Sequence, residues 1–146
     1  MQLNNKLISS QSIMINASAE KIWKTLTNPL LISQYLFGAQ IITDWNVGSD
    51  IIFKINFEGN EFADKGIVIE NIPNKIMIYK YWSGFCGLAD KPENYSTVSY
   101  KIENIQDENH KLTWTQQGFA DEKSRSSSEN SLESILEQIK YISENK

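Results

Sequence analysis

Apolar side chains recur along this 146-residue chain with two different periods, and the points where the period changes mark its elements. Ile13 and Ile15 flank Met14 near the end of a strand expected over Leu7–Ile15, and Asn16-Ala17-Ser18 stops it. Ser18 suits a helix N-cap, since its hydroxyl accepts a hydrogen bond from an orphan amide, and Glu20 sits in the first turn where a carboxylate is favoured. Ile22, Trp23 and Leu26 fall at helical spacing, which predicts a helix over Ala19–Leu26. Asn28-Pro29 interrupts it, because proline disfavours helical geometry at the preceding residue and suits the first position of a new helix. A second short helix is expected over Leu30–Tyr35, ending near Gly38.

From Ile41 the period becomes two. Ile41–Trp45 is short and apolar, and Asn46-Val47-Gly48-Ser49-Asp50 is turn chemistry. Ile51, Phe53, Ile55 and Phe57 alternate with Ile52, Lys54 and Asn56, the pattern of a strand with one apolar face. Glu58-Gly59-Asn60 turns the chain into a strand over Phe62–Ile72, within which Gly66 marks a bulge or a close approach. After Pro73-Asn74-Lys75 comes Ile76–Trp82, with Met77, Tyr79 and Tyr81 on one face and Lys80 marking the solvent side. Ser83–Asn94 is the longest irregular stretch. The last strands are expected over Tyr95–Glu103 and Lys111–Gln117, with Val98, Tyr100 and Ile102 facing one way in the first and Leu112, Trp114 and Gln116 in the second. Leu132, Ile135, Leu136, Ile139 and Ile142 or Ser143 then trace one stripe of a long helix. Asp121 is its upstream cap, and the serines at 126 to 128, poor helix formers, predict a start that frays or comes late. Hairpin-like links in the order strand, two helices, six strands, helix predict an α+β fold: an antiparallel sheet of six to seven strands crossed by the long C-terminal helix, with residues 1–146 as a single domain.

Composition narrows the function classes. Hydrophobic residues make up 40% and charged residues 22%, which is globular. A net charge of -4 and the absence of a Lys/Arg cluster argue against nucleic acid and against a polybasic membrane patch. Cys86 is the only cysteine, so a reducing compartment is expected, and the first residues carry no apolar run of signal-peptide type. No stretch approaches a membrane span, and a cytoplasmic protein without membrane insertion is the expectation. Thirteen lysines against one arginine, with frequent Ile and Asn, suggest an AT-rich bacterial genome.

Several short motifs, in order, resemble the START/SRPBCC helix-grip superfamily. Ser18-Ala19-Glu20-Lys21-Ile22-Trp23, Thr27-Asn28-Pro29 and Tyr35-Leu36-Phe37-Gly38 look like its opening. Asp44-Trp45-Asn46-Val47-Gly48-Ser49, Lys65-Gly66-Ile67-Val68-Ile69-Glu70 with Pro73, Ser96-Thr97-Val98-Ser99-Tyr100 and Thr115-Gln116-Gln117-Gly118-Phe119 continue it. The similarity runs from about Ile13 to Ile142 and is nearest the branch named for the activator of the 90-kDa heat-shock protein ATPase, the AHSA type. It implies a helix-grip fold with a cavity between the concave sheet and the C-terminal helix, used in the superfamily for lipids, sterols, polyketides or other apolar molecules. The chaperone name implies a stress-response role, which a short chain does not inherit by default. The pattern departs at Leu132, near which the family often carries a Trp, so the cavity there is expected to be larger or filled differently.

The expected ligand-binding residues combine these readings. Phe53, Ile55, Phe57, Met77, Tyr79, Tyr81, Val98, Tyr100, Trp114 and Gln116 face inward from the strands. Leu132, Ile135, Leu136 and Ile139 face them from the helix, and the resemblance sets Tyr35 and Phe37 at the cavity mouth. Tyr79, Tyr81, Tyr100 and Gln116 need hydrogen-bond partners when buried, which a ligand or water can supply. Phe85, Leu88 and Tyr95 lie near the other possible rim. His110, in a polar turn beside Lys111, reads as solvent-exposed. Cys86 has no cationic neighbour nearer in sequence than Lys91. Asp44, Asp64, Glu70 and Glu93 would serve as acid or base only if buried, and acidic residues on strands and turns are usually solvated. Glu129, Glu133, Glu137 and Lys140 form the expected wet face of the last helix. No catalytic residue, metal or cofactor is expected. The first function is binding of a small apolar or amphipathic molecule without chemistry, by a monomer with a dimer left open. An enzyme of cyclase, hydrolase or isomerase type using a cavity Tyr or carboxylate is the second, and a co-chaperone-like interaction domain the third.

Overall fold

A computed structural model describes residues 2–84 and 87–145, the side chain of Phe57 excepted. Its elements are β1 (Asn4–Asn16), α1 (Ala19–Thr27), α2 (Pro29–Tyr35), β2 (Gln40–Ile42), β3 (Asp50–Phe57), β4 (Asn60–Ile72), β5 (Ile76–Trp82), β6 (Ser96–Gln106), β7 (Asn109–Phe119) and α3 (Glu122–Glu144). The strands form one curved antiparallel sheet in the order β1-β7-β6-β5-β4-β3-β2, and α3 packs on it. The α+β helix-grip architecture expected from the pattern and the resemblance together is the one observed.

Local chemistry explains the path. Ser18 Oγ accepts from Lys21 N and starts α1. Asn28 ends α1 and begins α2: its amide donates to Lys24 O, and its Oδ1 accepts from Leu30 N at 2.9 Å and Leu31 N at 3.4 Å. Asn28→Ala is expected to lower stability by about 1 kcal/mol, read as a shifted urea midpoint. The two helices carry the chain from one sheet edge to the other. Glu58 and Gly59 both adopt positive φ, 51° and 81°, the two-residue turn whose twist matches a hairpin. The β4–β5 register shifts between Val68 and Glu70, so a bulge lies three residues beyond the Gly66 that marked it. Before it, Asp64, Gly66 and Val68 all turn inward.

Three expectations need correction. β1 begins at Asn4, because pairing with β7 overrides its polar start. α3 begins at Glu122 and runs straight through the serines. Asp121 Oδ1 accepts from Ser124 N, and Arg125 bonds both carboxylate oxygens of Glu122 and, at 3.5 Å, Ile8 O. Glu129 and Lys140 leave the wet face to reach the open edge of β1. Glu129 bonds Ser9 Oγ and, through its backbone carbonyl, Gln11 Nε2, while Lys140 Nζ donates to Met14 O at 2.9 Å. The helix thus covers an edge that would otherwise present unpaired backbone groups. Ser143 Oγ to Thr25 Oγ1, 3.0 Å and buried, ties α3 to α1.

Candidate functional site

A hollow of about 250 Å³ lies between the inner face of the sheet and α3. Phe53 and Ile55 of β3, Asp64 of β4, Tyr79 and Tyr81 of β5, Val98 of β6, and Trp114 and Gln116 of β7 form its floor. Ser128, Ser131, Leu132 and Ile135 of α3 face them, and Leu36, Phe37 and Ala39 close one end. The serines that weaken α3 as a helix are also small, which leaves room where a bulky residue would fill the space. A more polar hollow of about 630 Å³ shares Tyr81, Gln116, Ser128 and Ser131 and extends past Asn94, Ser96, Lys123 and Ser124.

Ten of the residues expected at the cavity are brought together at it: Phe37, Phe53, Ile55, Tyr79, Tyr81, Val98, Trp114, Gln116, Leu132 and Ile135. Tyr35, Met77, Tyr100, Leu136 and Ile139 are not. They are buried in the core behind the wall, with Trp114 perpendicular to Tyr35 at a centroid distance of 6.5 Å and tilted to Tyr100 at 4.3 Å. The Phe57 side chain, Phe85 and Cys86 lie outside the described residues. Phe37 is 78% exposed, held at a positive φ of 54° where α2 hands over to β2.

The polar groups that pointed to a ligand largely satisfy one another. Tyr79 and Tyr100 share a hydroxyl–hydroxyl bond of 2.5 Å. Tyr81 donates to Asp64 Oδ2 at 2.5 Å, and Gln116 Nε2 donates to Ser96 Oγ at 3.2 Å. Burial pushes the phenols of Tyr35, Tyr79, Tyr81 and Tyr100 above their ordinary range; for Tyr81 the adjacent Asp64 adds to it, and for Tyr100 the adjacent Tyr79. These hydroxyls therefore stay protonated at neutral pH, as hydrogen-bonding groups rather than phenolate bases. What remains open is Asp64. It is only 3% exposed, and its Oδ1 has no partner among the described residues. Periodicity from Gly66 and Val68 would have turned Asp64 inward, but the usual exposure of carboxylates outweighed that signal. Leu36, Ala39, Ser128 and Ser131 were also missed at the cavity, since nothing in their local pattern marks them.

His110 is buried, contrary to its reading as a solvent-exposed turn residue. Nδ1 lies 2.7 Å from Ala17 O and Nε2 3.2 Å from Asn104 Nδ2, so Nδ1–H donates, Nε2 accepts, and the ring pins the start of β7 to the end of β1. Asp44 and Glu93 are exposed and Glu70 half-buried, away from the hollow. Asp44 is held below the usual carboxylate range by bonds from Ser49 and Asn46. Among the described residues no group of three His, Cys, Asp or Glu is placed to hold a metal, and no helix is long and apolar enough to cross a membrane.

Curated protein sequences give no match. The family described as Activator of Hsp90 ATPase homolog 1-like protein matches residues 16–144. The chain belongs to this family. A similar chain, ChR145 from Cytophaga hutchinsonii, known from its solution structure, is 32% identical with a TM-score of 0.78, over 96% of this chain and 94% of that one. Two less similar solved structures share the fold. The Aha1 dimer from Colwellia psychrerythraea is 20% identical with a TM-score of 0.73, covering 94% of this chain and 96% of that one. An HSP90 activator from Plasmodium falciparum is 16% identical with a TM-score of 0.73, covering 93% and 95%. The family and these neighbours fit a ligand-binding or a co-chaperone-like AHSA1 domain.

Proposed function

We propose that this chain works as a single AHSA1-type domain that binds a small apolar or amphipathic molecule in the hollow between the sheet and α3. The observation that carries this reading is a partly enclosed space with an apolar wall and a few fixed polar groups, the usual make-up of a small-molecule site. Burial raises the phenol pKa values of Tyr79 and Tyr81, so neither supplies a phenolate base at neutral pH. The hollow's volume of about 250 Å³ suits a compact molecule.

A ligand present at a hundredfold excess over its Kd stabilises the folded state by about 2.7 kcal/mol, a rise in Tm of roughly 5–10 °C for a chain of this size. A thermal-shift screen of small aromatic and alicyclic compounds, with native mass spectrometry of the purified protein, is expected to find such a ligand. Leu132→Trp supplies bulk at the cavity wall and is expected to cut that ligand's affinity about tenfold or more while Tm without ligand stays the same or rises. No shift across the screen and no retained ligand would sink the reading, as would unchanged affinity in the variant.

A second reading, co-chaperone-like docking, is supported by the family description and by a surface hollow where Lys21, Lys24, Leu31, Tyr141 and Ile142 meet. Tyr141 is 71% exposed there. Stimulation of the host's own Hsp90 ATPase is its test, and a null assay would end it.

A further inference from the structure

Asp64 is the one acidic or basic residue lining the apolar hollow among the described residues, and it sits on the floor, paired in register with Phe53 across the β3–β4 ladder. Tyr81 occupies Oδ2, while Oδ1 is buried and unpartnered. A buried carboxyl oxygen without a donor is costly, and none of the described residues brings a cation to it. Lys65, next in sequence, is turned outward to Asp90 at 2.7 Å, and Lys80 on the neighbouring strand is bonded to Thr97 Oγ1 at 2.7 Å. The walls of the same hollow are aromatic. Phe53 stands edge-on to Tyr81 at a centroid distance of 5.4 Å and tilted to Tyr79 at 6.1 Å, with Trp114 on the adjoining strand also at the wall.

We propose that the occupant carries a cationic amine that docks on Asp64 Oδ1 while its apolar body fills the aromatic hollow. This rests on the ligand-binding reading above and names the ligand's class. Two separate features call for the same chemistry. A carboxyl oxygen lacking a donor is met best by a charged N–H, whose hydrogen bond is roughly twice as strong as a neutral one. Aromatic faces attract a cation and accept an alkyl or aryl body equally well. An alcohol would satisfy the oxygen but bring no charge for the rings to attract, and a hydrocarbon would leave the oxygen as it is. The four lining residues shared with the polar hollow offer a wet approach for a charged head before it is desolvated.

The test uses the full chain and three probes of one shape: phenylpropylamine, phenylpropanol and propylbenzene, titrated by calorimetry or NMR. Wild-type protein is expected to bind the amine about tenfold or more tighter than the alcohol. Asp64→Asn keeps the acceptor for Tyr81 and removes the charge. It is expected to erase the amine's margin while changing propylbenzene affinity by less than about twofold. Equal binding of amine and alcohol by wild-type protein, or a margin that survives Asp64→Asn, would overturn the amine while leaving the cavity reading standing. Failure of all three probes to bind would overturn both. Should Asp64→Asn not fold, the wild-type margin decides alone, and Tyr81→Phe, which leaves the carboxylate in place, is expected to keep it.

Discussion

Leu136→Ala is expected to lower the unfolding free energy by about 3–4 kcal/mol, in the range measured for buried leucines, and the Tm by on the order of 10 °C. Leu136 is 2% exposed and packs on the core side of α3, away from the hollow. Truncation there opens a new void among atoms that all had partners. Leu132, one turn earlier, is also buried but lines the existing hollow, so part of its surface already lacks partner atoms. Leu132→Ala is therefore expected to cost about 1–2 kcal/mol less than Leu136→Ala. Urea unfolding followed by far-UV circular dichroism measures both. Equal costs would mean that the hollow is packed in solution, and the binding reading would lose its ground.

Gly66→Ala comes second, with an expected loss of about 2–3 kcal/mol. A Cβ built on Gly66 would stand 2.5 Å from the backbone carbonyl oxygen of Lys80, well inside contact distance. That atom belongs to the neighbouring strand and cannot swing aside, so β4 and β5 would have to part. Gly66 pairs in register with Tyr81 and lies two residues after Asp64, so ligand affinity is expected to fall together with stability. Gly84→Ala is the control. Among the described residues its Cβ would meet nothing nearer than Trp82 at 4.0 Å, and the stability should change by less than about 0.5 kcal/mol. A neutral Gly66→Ala would show that the bulge between Val68 and Glu70 absorbs the strain.

Period-two alternation made the inward faces of β3, β5, β6 and β7 legible, because a half-buried strand must alternate. The caps at Ser18 and Asp121 were legible as well, since a cap is a local bond within a few residues. The errors share one cause. His110 and Glu129 are polar residues that sequence places in water, and each is drawn inward by a distant partner: Ala17 O, 93 residues away, and Ser9, 120 residues away. Asp64 was weighed as one acidic residue among several, because nothing beside it in sequence announces Tyr81, 17 residues on.

The sequence by itself determined the element order, the sheet's apolar face, the stripe of α3 and the family, all of which depend on local spacing and on motifs in series. Only the tertiary structure decided which buried polar groups satisfy one another and where space is left over. Hydrogen-bond pairing across strands and the fit of α3 on a curved sheet are sums over residues far apart in the chain. That is why Tyr79 and Tyr100, each a candidate for contact with a ligand, turn to one another, and why the open acceptor is on Asp64.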